Sequence, residues 1–286
     1  METMQAEYRK QNYVVSNAVS CDRTDGEIPA GIFNSAAWAQ CDSIYVFFGI
    51  CGLYLLLKDR ITFAMFCFGL SLAFKLQAVF FFPALIILYF MKKNFSALRF
   101  LVIPLAIVAI SLPMVFVGRD LSELVQVYMG QTNTYPYMTT DYPSLYCLLS
   151  ANNYQMYSKV AILFTITGLG ALFFYIVYHR IEMTKDNMVM IMFLCTFTCV
   201  LFLPAMHERY GYSYEILAWI LVFLMPKTAP LCIALQLLTL RTYSEYLFGT
   251  QINLTVLAYG NLIIYCFYVY LLLKEMRTFK PDRTTG

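Results

Sequence analysis

The chain has 286 residues, 60% of them hydrophobic and 17% aromatic, but only 13% charged, with a formal net charge of +3. Soluble domains carry about 25% charged residues, so the composition excludes an ordinary water-soluble globule, and the small net charge gives no footprint for nucleic acid. Apolar runs separated by short charged breaks instead specify an all-α, polytopic membrane bundle, because lipid forces each segment to satisfy its own backbone polar groups.

Residues 1–40 are polar and mixed in charge, without the apolar core of a signal peptide. Nine apolar segments follow, over about 43–57, 61–74, 77–91, 100–117, 157–178, 188–205, 211–225, 229–247 and 257–274. The transmembrane region spans 41–275, with a long loop at about 118–158 and a basic tail at 276–286. Placing the break Lys58–Arg60 in the cytoplasm gathers twelve lysines and arginines on that side. Leaving aside Arg9, Lys10 and Arg23 at the N-terminus, it leaves five outside: Lys75, Arg119, Lys159, Arg209 and Arg241. This bias puts the C-terminus in the cytoplasm and the N-terminal segment outside. The nine cysteines are scattered singly, and His179 and His207 are the two histidines, so no metal site is expected.

Segments 61–74 and 77–91 are short for the hydrocarbon thickness, and the turn between them holds Lys75. Such a cation is tolerated where it lines protein or a watered cavity. The loop at 118–158 is dense in Tyr, Asn, Thr and Pro. Rings beside amides and carboxylates suit sugar stacking; the competing reading is an aromatic belt at the interface.

Three polar clusters fall at helix ends on the outer side: "NSAAWAQCDSIY" (34–45), "AFKLQAVFFFP" (73–83) and "LPAMHERYGY" (203–212). His207, Glu208 and Arg209 of the third, with Glu215 six residues on, stand where two apolar runs meet. Lys75, His207 and Arg209 offer cations and donors suited to a lipid phosphate. Asp42 or Glu208 is placed to accept a proton from a hydroxyl. Structural alternatives stand beside these roles. Lys75 snorkels, Glu208 and Arg209 form an ion pair, or Asp42 caps a helix.

The stretches "NSAAWAQCDSIY", "FGLSLAFKLQAVFFFPALIILY" and "FLPAMHERYGY" resemble the bacterial membrane mannosyltransferases related to the GPI-anchor mannosyltransferase II, of the GT-C superfamily. The endoplasmic-reticulum glucosyltransferases, broader relatives, carry an H-E-K segment where this chain has His207-Glu208-Arg209. The resemblance covers about residues 30–275 and implies a GT-C-like bundle. It implies a donor that is a polyprenyl-phosphate-linked sugar and transfer of a mannose-like hexose. The acceptor it implies is a glycan, lipid or protein at the outer face of the cell membrane, in contact with membrane lipid.

By the same resemblance, Lys75, His207 and Arg209 face the donor phosphate, and Trp38, Gln40 and Asp42 line the pocket. Gln77 and Tyr210 lie in the same motifs and join the substrate-binding set. No cofactor is required, and a divalent cation on the phosphate is left open. GT-C enzymes carry their catalytic acid in the first outer loop, after a first membrane helix. Here no apolar segment precedes Ile44, so the expectation is a chain lacking its N-terminal part. Two other readings remain open: a transporter or flippase of lipid-linked glycans, and a non-catalytic subunit or truncated remnant.

Overall fold

The computed structural model describes Asn34 and residues 40–118, 137–149 and 153–278, with single positions at 120, 122, 123, 126 and 130. Every expected apolar segment contains a helix. These are α1 (Asp42–Leu57), α2 (Ile61–Phe74), α3 (Phe82–Met91), α4 (Val102–Phe116), α5 (Tyr154–Tyr178), α6 (Lys185–Phe202), α7 (Tyr212–Leu224), α8 (Ala229–Phe248) and α9 (Leu254–Thr278). Short 3-10 turns precede α3, α4 and α8. The one sheet among the described residues pairs β1 (Thr139–Thr140) with β2 (Met206–His207) in parallel. The chain is therefore an all-α membrane protein. Four stretches are long and apolar enough to cross a bilayer: Ala97–Phe116, Tyr154–Tyr178, Lys185–Phe202 and Leu254–Thr278. Helices α1, α2 and α7 are shorter.

The hub is α6. It is apolar on every side, and nearly all of it is buried, as a helix surrounded by other helices must be. It packs against α1, α3, α5, α7 and α9. Its start is set by Thr184, whose hydroxyl accepts from the Asn187 N–H at 3.2 Å. Its end comes at Phe202, earlier than the apolar run suggests, because Pro204 disfavours a helical Leu203; that residue is extended at φ −75°, ψ 149°.

Helices α1, α2 and α4 form a second tight layer. At Gly69 a Cβ would sit 2.7 Å from the Ala106 side chain and 2.8 Å from the Ile103 carbonyl, so α2 and α4 meet backbone to backbone. Helix α2 stops at Lys75, which is extended at φ −156°, ψ 132°. The tip then continues as the 3-10 turn Leu76–Phe81 into α3, whose first turn holds Pro83. A proline there supplies no N–H to the turn behind it. The break places Lys75 between two helical rods.

At the opposite end, charged breaks join one another. Lys92 Nζ lies 2.6 Å from Asp59 Oδ1, and Lys227 pairs with Glu275. Both pairs link segments that the Lys/Arg bias assigns to one side. The expected site residue Trp38, Arg119 and the tail beyond Thr278 lie outside the described residues.

Candidate functional site

The three polar clusters meet. Asp42 opens α1 and is 1% exposed. Its Oδ1 is ion-paired to Lys75, and its Oδ2 accepts from Asn34 Nδ2 at 3.0 Å. Asp42 is the first residue of α1 and not its N-cap, which is Cys41; its carboxylate serves Lys75 and Asn34. Lys75 is held at that carboxylate instead of extending freely to water. Gln40 Oε1 accepts from Arg209 Nη1, a contact spanning 169 residues. Glu208 stands between two partners: Arg209 Nε at 3.4 Å and His207 Nδ1 at 3.8 Å. Asp42 and Glu208 thus each face cationic or imidazole groups.

The "HERY" segment is held from behind by a loop. Residues 203–207 leave α6, pass through Ala205 at φ 60°, and enter β2. The Ala205 N–H donates to the Met138 carbonyl at 3.0 Å, and β2 pairs with Thr139–Thr140. Asp141 then bridges His207 in the antiparallel sense.

Behind the strand, the loop plugs into the bundle. The Tyr142 and Tyr214 hydroxyls are 2.8 Å apart. Asn261 Nδ2 donates to the Tyr142 hydroxyl and to the Pro143 carbonyl, each at 3.1 Å. The Tyr146 hydroxyl donates to the Phe202 carbonyl that ends α6. Burial pushes the Tyr142 phenol well above its usual range and that of Tyr146 up to about 12, so both remain hydrogen-bond donors. These two tyrosines therefore do neither of the jobs expected of the loop's aromatic rings. They are buried anchors, whereas Tyr137 is 53% exposed.

A buried polar layer lies beneath the cations, and it extends the sequence clusters to Thr239 and Tyr243 of α8. Glu215 on α7 is 1% exposed. Its Oε1 accepts from the Thr239 hydroxyl at 2.8 Å, and Oε2 has no hydrogen-bond partner among the described residues. A Cβ at Gly211, one turn back, would sit 2.6 Å from that Oε1, so glycine leaves the space the carboxyl fills. Tyr45 of α1 lies against Ser213, and Tyr243 of α8 lies against Asn34. The available signal was an acid inside an apolar helix, four residues after a glycine.

Gln77 and Tyr210 open onto a separate feature. A cavity of about 240 Å³ lies between the tip 76–80, the start of α5 and the segment 203–210. Its walls include Leu76, Phe80, Tyr154 and Met206, with Gln77 and Tyr210 among them. Gln77 Oε1 is buried there without a hydrogen-bond partner among the described residues. The Tyr210 ring sits 6.3 Å from Phe80 and 5.1 Å from His207, joining the cavity to the polar cluster.

In chemical terms, the arrangement sets two cations and an imidazole beside an apolar slot at one end of a membrane bundle. The family model for glycosyltransferase family 87 matches residues 29–204, more than half of the chain and including the first two clusters. A comparison with curated proteins finds no match.

Proposed function

Because this chain belongs to glycosyltransferase family 87, a family of GT-C-type membrane glycosyltransferases, we propose that its donor is a polyprenyl-phosphate sugar. In this reading it moves a mannose-like hexose to a glycan, lipid or protein acceptor at the outer face of the membrane. The observation that carries the reading is the convergence of Lys75, His207 and Arg209 at one end of the bundle, drawn together by Asp42 and Gln40.

The chemistry follows from charge. The acceptor oxygen attacks the anomeric carbon, the bond from that carbon to the phosphate oxygen breaks, and its electron pair leaves with the phosphate. Developing negative charge is best met by fixed donors in a site poor in water. Arg209 offers a planar fork and Lys75 a compact charge. The apolar slot beside them suits the first units of the prenyl chain, with Gln77 and Tyr210 at the boundary. Asp42 and Glu208 keep the two cations in place, a role that also restrains them as proton acceptors.

The test uses the full-length protein in membranes, with radiolabelled polyprenyl-phosphate mannose as donor. A labelled covalent product supports the reading. Arg209→Ala is expected to lower the rate about 100-fold or more, the scale of losing one preorganised donor to transition-state charge. Movement of the intact donor across the membrane without any product would replace transfer by transport.

A further inference from the structure

We propose that Asp141 is the base that receives the acceptor's proton; this role rests on the transfer reading above. The donor's phosphate needs cations, but the acceptor's hydroxyl needs a carboxylate that an entering substrate can reach. Three acids near the cations fit that need poorly. Asp42 and Glu215 are each 1% exposed, and both oxygens of Asp42 are engaged. The Glu208 side chain is 11% exposed and stands between Arg209 and His207.

Asp141 differs on each count. It is exposed to solvent, and its backbone bridges His207 inside the H-E-R segment. Among the described residues no ion pair or hydrogen bond engages its side chain. The residues after it are fixed: Tyr142 is 2% exposed and Ser144 fully buried, and Asn261 clasps Tyr142 and Pro143. An exposed acid is thus mounted on a rigid support at the edge of the cationic cluster. Its backbone is left-handed at φ 58°, and Ala205, across the same strand pair, is left-handed at φ 60°. Strained positions of this kind persist where surrounding structure over-determines them, and they gather at functional sites.

The step balances. The acceptor O–H bond breaks and its proton passes to an Asp141 carboxylate oxygen. The acceptor oxygen bonds to the anomeric carbon, and the electron pair of the broken sugar–phosphate bond leaves on the phosphate beside Arg209.

Asn and Gly tolerate left-handed backbone, so Asp141→Asn and Asp141→Gly remove the carboxylate and leave the turn. In the full-length protein, with labelled polyprenyl-phosphate mannose, both are expected to reduce kcat at least 100-fold, the scale of general-base catalysis. The donor KM and the melting temperature should stay near wild type. An Asp141→Asn protein as active as wild type overturns the role while leaving the transfer reading intact. A wild-type protein that transfers no sugar overturns both.

Discussion

Lys75 shows how much one side chain does for its neighbours. It is 19% exposed, but its partner Asp42 is 1% exposed, so Lys75→Ala leaves a buried carboxylate without its cation. Breaking one half of a buried pair costs about 3–5 kcal/mol. The single variant should therefore lose folded protein as well as activity. Lys75→Met combined with Asp42→Asn removes both charges and should recover most of the folded protein, but not the transfer rate. Detergent-melting curves and the donor assay together measure this. If Lys75→Ala melts like wild type, the pair carries no structural weight. Residue chemistry was legible here: the sequence marks Lys75, Asp42, Gln40, His207 and Arg209 as polar groups at helix ends. Their pairing was not, because it depends on how α1, α2 and α7 pack. Glu215 carried a signal as well, an acid in an apolar helix, but its partner Thr239 lies on another helix.

At the scale of elements, the loop 137–149 behaves as part of the bundle. Two hydrogen bonds from Asn261 on α9 hold it, and two pairs of strand residues join it to β2. Cys147 reports on this clasp. It is partly buried, its Sγ donates to the Tyr142 carbonyl at 3.3 Å, and burial raises its thiol pKa. A raised pKa means less thiolate and slow alkylation at neutral pH. Asn261→Leu removes the clasp, and Cys147 is then expected to react several-fold faster with a membrane-impermeant maleimide, read by peptide mass mapping. An unchanged rate would mean the loop is held by other contacts. The nine helical segments were readable from hydropathy alone, since length and apolar content are local properties. The strand pair was not, because a two-residue ladder has no periodicity to detect. The early end of α6 was partly readable, from Pro204.

The whole molecule divides into an inner helix and an outer surface left to lipid. Phe193 on α6 is fully buried, whereas Leu163 on α5 is 64% exposed. Phe193→Ala opens a cavity at the hub, and the cost expected from large-to-small core changes is about 3–5 kcal/mol. Leu163→Ala removes a side chain that faces outward, and its effect should stay within about 0.5 kcal/mol. Reversible unfolding in detergent compares the two. Equal losses would mean that α5 is packed against something as fully as α6 is. Composition alone gave the membrane class. The choice of α6 as the buried centre was hidden, because all the apolar segments look alike to a hydropathy scale.

The contacts that gather the cations differ widely in span. Asp42 and Lys75 are 33 residues apart, and Gln40 and Arg209 are 169 apart. The consequence is an order of events during synthesis. The first pair can form once α2 has left the ribosome, while seven of the described helices remain to be made after it; the second must wait until α7 begins. Gln40 and the aspartate–lysine pair are thus in the bilayer long before the arginine that completes the cluster exists. A nascent chain arrested after α6 would hold half of the polar set and would lack Arg209. On the proposed reading, the site is completed late, in one step, when Arg209 arrives.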